Sequence, residues 1–242
     1  MMASKPNLPE FTSRPTGRET LAAILYLPVH LGVIPFIAAE LLSRGSIDAA
    51  NANLICYAIG VVFMLIFLGR FLRREFDPLC DRPFFCLAQI VSCYLMMICF
   101  NMVVNLLLGL VGGMELAALE NPNNQAVFAL ADENFGKISA MTIFMAPIVE
   151  ELMFRAGIFG FLRRYNRTAA YLGSMLLFSA YHVWSYAVYD PGAWIFIIQY
   201  LPISWLLCRC YERCNSIWGS IFLHMLINGI SMQAMQMLGN IL

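Results

Sequence analysis

The sequence predicts an all-α fold: a polytopic bundle of about seven transmembrane helices, eight if the longest apolar run holds two, with a polar cavity between helices 4, 5 and 7. Three observations carry this. Of 242 residues, 60% are hydrophobic and only 12% charged, with a mean hydropathy of +0.71, whereas an average soluble domain is about 25% charged. The apolar residues gather into runs of membrane-spanning length. The ionisable groups that fall inside those runs concentrate in three of them.

The runs fall at 21–42, 54–69, 84–114, 138–162, 168–187, 192–208 and 216–239. At 1.5 Å per residue the runs suit about 30 Å of hydrocarbon, the second and sixth being marginal at roughly 24 and 26 Å. Residues 1–20 are polar, with Lys5, Arg14 and Arg18, and read as a cytoplasmic tail. The first run is too long and too poorly punctuated for a cleaved signal peptide. Within it His30 lies between Pro28 and Pro35, a packing or kink position. The third run reads as one long tilted helix or as a helix with a re-entrant extension ending at "LVGGM". Its Asn101 and Asn105, spaced i,i+4, read as interhelical hydrogen-bonders, with lining of the substrate cavity as the alternative. The acidic stretch 115–137 has an amphipathic second half, expected as a helix at the outer interface. No internal repeat is present, which argues against an inverted-repeat transporter. The chain thus reads as a single membrane-embedded domain over 1–242.

Charge placement sets the expected orientation. The gaps alternate, with 12 Lys and Arg on the N-terminal side and 2 on the other; the fifteenth is Arg155, inside a run. The positive-inside rule then places the N-terminus in the cytoplasm and the C-terminus outside, in a multi-pass protein of the plasma membrane. With 15 basic and 15 acidic residues, no global field points to nucleic acid. Membrane lipids are the expected surroundings, and nothing in the sequence speaks to oligomeric state. The eight cysteines lack the spacing of a disulfide framework, and those of "CRCYERC" lack paired zinc-site spacing; they read as reduced packing residues. There is no recognisable lipidation signal.

An ionised side chain at the bilayer centre costs at least about 2.5 kcal/mol, so such residues persist mainly where they pair and work. In "MAPIVEELMFRAGIFGF" (145–161), Glu151 and Arg155 are spaced i,i+4 with the acid first, the favourable order for a buried pair. Glu150 lies about 100° round the helix from Glu151 and cannot share the arginine equally. It keeps the less compensated charge, poised to take a proton from water as a general base requires. "FSAYH" sets Phe178 and His182 at i,i+4, and "HMLIN" does the same for His224 and Asn228. By helix rise from the cytoplasmic ends, Glu150, His182, His224 and Asn228 lie roughly 18, 21, 12 and 18 Å deep. Glu150 and His182 could deprotonate a water, while His224 and Asn228 could donate to an oxyanion. Phe178 reads as packing beside the site. Glu151 and Arg155 read as a structural brace.

"EELMFR", "FSAYH" and "HMLIN", in that order on successive helices, resemble the EExxxR, FxxxH and HxxxN motifs of the CPBP family. That family comprises the type II CAAX prenyl endopeptidases and relatives linked to bacteriocin processing and self-immunity. "YERCNSIWGSIFLHMLINGI" resembles the family's run into its last motif, and the similarity covers about 120–231. It implies an intramembrane endopeptidase in which Glu150 and His182 activate water and His224 and Asn228 hold the oxyanion, with Glu151, Arg155 and Phe178 in support. Zinc on Glu150, His182 and His224 is the metal-dependent variant. Metal-free chemistry is preferred, because HExxH is absent. The implied partner is a peptide or lipid-modified protein entering from the membrane or the cytoplasmic side. The rival readings are a non-catalytic immunity or peptide-binding protein and a proton-coupled transporter.

Overall fold

The computed structural model describes residues 11–117 and 121–239, all helical or connecting, with no strand among them. Helix α1 runs Gly17–Ser43, α2 Ala49–Arg74, α3 Phe76–Asp81 and α4 Pro83–Ala117. Helix α5 is Pro122–Ala140, and α6 follows directly over 141–162. Helix α7 is Arg167–Ala187, α8 is Ile197–Cys214 behind a 3₁₀ turn at Pro191–Phe196, and α9 is Ile217–Gly239. Four helical stretches are long and apolar enough to cross a membrane, namely Gly17–Ser43, Ala49–Asp81, Pro83–Leu110 and Pro191–Cys214. The remaining three expected runs became α6, α7 and α9, which carry the polar motifs and fall short of that standard. The chain is a helical membrane protein.

Local chemistry explains the helix ends and their distortions. Thr16 and Glu19 form a capping box at the start of α1, each satisfying an otherwise unpaired N–H of the first turn. Asp48 caps α2 and Asn166 caps α7. Inside α1 a π-turn covers Val29–Val33. Pro35 lacks an N–H and its ring crowds the preceding turn, so the regular ladder must widen there. The long third run is one helix to Leu110, after which Gly113 at φ 71° breaks the regular geometry. Glycine tolerates that conformation without a Cβ clash. The stretch expected as an interfacial helix is helical from Pro122, with a break at Asn134.

The N-terminal segment differs from the expected polar tail, because from residue 11 onward it packs. The Phe11 ring meets Phe159 and Tyr211 edge-on, with centroids 5.8 and 5.0 Å away. The Thr12 and Ser13 amides donate to Asn215 Oδ1 at 2.8 and 3.0 Å. Asn215 sits in the left-handed region at φ 52°, which asparagine tolerates better than most residues, and there it turns α8 into α9. Beside it, the Glu212 carboxylate accepts from Arg163 at 3.0 Å, Arg167 at 2.7 Å and Tyr171 at 2.9 Å. That cluster fastens the end of α6, the start of α7 and the end of α8 at one face. All eight cysteines are free, and five of them (Cys86, Cys93, Cys208, Cys210, Cys214) are buried.

α2 approaches α6 closely at Gly60. A Cβ there would lie 2.9 Å from Val149 Cγ2 and 3.0 Å from the Tyr26 hydroxyl. Gly60→Ala is therefore expected to cost about 1–3 kcal/mol through overpacking and to displace the backbone next to Glu150. Gly69→Ala, where an added methyl meets nothing, is the control. Thermal unfolding in detergent checks both; equal midpoints for the two variants would contradict the tight contact.

Candidate active site

The two glutamates stand on a short α-helical segment, Ala146–Glu151, held between two π-helical stretches, Met141–Met145 and Leu152–Phe159. Pro147, at the start of that segment, removes one N–H from the ladder and accounts for the first distortion. π-turns of this kind frequently sit at functional sites, where they re-aim side chains. Both glutamates and Arg155 are buried.

The brace expected from spacing is present, with Arg155 Nη1 3.1 Å from Glu151 Oε1 and both side chains fully buried. Arg155 also donates to the Ser204 hydroxyl at 3.0 Å, and its guanidinium lies 4.1 Å from the Phe178 ring centroid. Glu151 does more than brace. Its Oε1 also lies 2.8 Å from His224 Nδ1, so the carboxylate fixes that ring and turns Nε2 toward the cavity.

Glu150 faces both histidines. Its Oε2 is 3.7 Å from His182 Nε2 and 3.8 Å from His224 Nε2, too far for direct hydrogen bonds and suited to a bridging water. His182 Nδ1 lies 2.9 Å from the Phe178 carbonyl, which can only accept. The proton therefore sits on Nδ1, and neutral His182 presents a lone pair at Nε2. Its ring packs between Phe178, at 4.4 Å, and Tyr200, stacked at 4.5 Å and 25°. Tyr200 is itself tied through its hydroxyl to Asn121 Oδ1 at 3.2 Å. Asn228 donates one amide proton to the Thr142 carbonyl at 2.8 Å, which leaves its second N–H free of that bond.

Glu150, His182, His224 and Asn228 all line one cavity of about 900 Å³. Asn101 and Asn105, read first as interhelical hydrogen-bonders and alternatively as cavity-lining, lie on the cavity wall. His30, read first as a packing or kink residue, does occupy the π-turn, and it also lines the cavity and lies 3.1 Å from the Tyr181 hydroxyl. Sequence reasoning also missed two tyrosines at the glutamate. Tyr57 donates to Glu150 Oε1 at 3.0 Å, and the Tyr181 hydroxyl lies 3.5 Å from the same oxygen. The available signal was a phenol inside an apolar run, since a buried Tyr hydroxyl usually finds a partner.

Among the described residues, no three His, Cys, Asp or Glu side chains converge on a point that could hold a metal ion. Two ligands of one tetrahedral zinc lie about 3.3 Å apart for bonds near 2.0–2.1 Å, closer than Glu150 Oε2 stands to either imidazole. As placed, Glu150 stands farther from both imidazoles than a tetrahedral zinc would set them, and no step below runs through a metal.

Fold and site together define a helical membrane protein in which one carboxylate and two imidazoles meet at one cavity. Residues 134–230 match the family model described as type II CAAX prenyl endopeptidase Rce1-like. That segment, less than half of the chain, is thus similar to a family of membrane proteases, and it contains all three motifs. No curated protein and no solved structure gives a significant match.

Proposed function

We propose that this protein is an intramembrane endopeptidase that hydrolyses a peptide bond with water activated by Glu150 and His182. One observation carries the reading: Glu150 Oε2 faces the Nε2 atoms of His182 and His224 at 3.7 and 3.8 Å on the cavity wall. A water between Oε2 and His182 Nε2 would donate one hydrogen to each and turn its lone pair toward the cavity. Its oxygen attacks the peptide carbonyl carbon as its proton passes to Glu150. The resulting oxyanion accepts from the free Asn228 N–H and from His224 Nε2. His224 donates there as the imidazolium, because Glu151 already takes the proton on Nδ1. With Glu150 protonated, the Glu151 carboxylate and the oxyanion then balance Arg155 and cationic His224 in charge, which a low-dielectric site requires. Glu150 returns its proton to the leaving amine, the C–N bond breaks, and an acid and an amine leave.

In this reading the protein crosses the plasma membrane seven times with its N-terminus in the cytoplasm, consistent with the basic residues counted above. The substrate is a peptide, or the end of a lipid-modified protein, that reaches the cavity from the membrane or the cytoplasmic side. The test uses purified protein in proteoliposomes, incubated with prenylated Cys-a-a-X peptides and with unmodified apolar peptides, each with and without a chelator. Mass spectrometry should find a defined cleavage that Glu150→Gln abolishes. Binding without cleavage by the wild type would favour the immunity reading, and substrate flux into the vesicles would favour a transporter.

A further inference from the structure

The match to the protease family begins at residue 134, yet α1 and α2 reach into the site. Tyr57, on α2, donates to Glu150 Oε1 at 3.0 Å. The Tyr57 and Tyr181 hydroxyls are 3.1 Å apart, and the Tyr181 hydroxyl is 3.1 Å from His30 Nε2, on the π-turn of α1. Each of these groups has one proton to give. With Nε2 of His30 protonated, the donors run in one direction, from His30 to Tyr181 to Tyr57 to Glu150 Oε1. Such a chain polarises along its length and strengthens its last bond. Rings reinforce the geometry: the His30 centroid is 5.3 Å from that of Tyr57 and 6.0 Å from that of Tyr181.

We infer that Tyr57, Tyr181 and His30 are positioning residues that pin Glu150 through Oε1, so that Oε2 alone is presented to His182, His224 and the water. The inference rests on the protease reading, in which Oε2 takes the water's proton. Its physical basis is the demand for sub-ångström placement of a reacting group: a carboxylate free to swing about its last torsions would exchange its two oxygens and leave the productive pose. Buried, it would also lack a donor for Oε1. Two of the three positioning residues are therefore supplied by helices outside the family-matched segment, Tyr57 and His30 lying 93 and 120 positions before Glu150 in the chain.

The experiment compares wild type with Tyr57→Phe, His30→Leu and His30→Gln in proteoliposomes. Tyr57→Phe keeps the ring and should retain the thermal midpoint, while kcat falls about 10- to 100-fold with KM within about threefold, as a misplaced catalytic group demands. His30→Leu should lower kcat about tenfold and His30→Gln, which keeps an N–H, should recover most of that loss. The double variant Tyr57→Phe with His30→Leu should be no slower than Tyr57→Phe alone, because both act through one bond. A second readout needs no substrate. The carboxylate stretch of Glu150, identified by its disappearance in Glu150→Gln in ¹³C-glutamate infrared spectra, should shift in Tyr57→Phe. An unmoved band, a loss confined to KM, or a kcat within threefold of wild type overturns the anchor. A wild type that cuts nothing, with the band still shifting, instead overturns the protease reading and leaves the anchor standing.

Discussion

Glu150→Gln is expected to lower the cleavage rate by about 10²–10⁴-fold, the usual contribution of a positioned general base, with little change in fold. The amide oxygen can still accept from Tyr57, which lies 3.0 Å from Oε1 in the wild type, so the side chain keeps its anchor. What changes is the other branch, where an NH₂ replaces the oxygen facing His182 and His224 at 3.7 and 3.8 Å. That group cannot take a proton from water. His182→Ala should cost a similar factor by removing the second acceptor, and it also leaves a gap between Phe178 and Tyr200, which pack against its ring. Single-turnover cleavage measured alongside thermal unfolding in detergent separates the two effects. A folded Glu150→Gln protein within tenfold of wild-type rate would sink the assignment of Glu150 as base.

Arg155→Met should destabilise the protein by about 3–5 kcal/mol, the usual cost of stranding one member of a buried ion pair. Arg155 and Glu151 are fully buried and 3.1 Å apart, and the guanidinium also holds Ser204 and covers the Phe178 ring. The more informative variant is the double one. Replacing both charges, as Glu151→Leu with Arg155→Met, removes the stranded charge and should restore most of the stability. It should not restore cleavage, because His224 Nδ1 then loses the carboxylate 2.8 Å away that sets its ring orientation. Thermal midpoints and cleavage rates should thus separate: the single variant loses both, the double variant only the second. A double variant that regains activity would show that Glu151 and Arg155 serve packing alone.

The site was partly legible because part of it is local. A carboxylate and a guanidinium four residues apart on a helix meet whatever surrounds them, so Glu151 with Arg155 could be paired from spacing. The motif order likewise assigned Glu150, His182, His224 and Asn228 to one cavity, and the structure brings all four to its wall. Tyr57, Tyr181 and His30 were not legible as a set. Their bonds join residues 93, 124 and 151 positions apart, and no periodicity encodes such a meeting. Asn101 and Asn105 illustrate the same limit, since spacing put them on one helix face but could not decide between a neighbouring helix and a cavity before it.

Composition and run length were enough to establish a helical membrane protein, because hydrocarbon leaves the backbone no partner but itself and only long apolar helices satisfy that demand here. The three motifs, read in order, were enough to name the side chains proposed for the chemistry. The tertiary structure decided how those side chains are held. It turned Glu151 from a brace into the residue that orients His224, drew α1 and α2 into the site through a tyrosine pair, and folded the N-terminal segment from residue 11 against Asn215. Each of these is a contact across helices. Sequence spacing sets the angle of a side chain about its own helix, but which helix stands opposite follows from how the whole bundle packs.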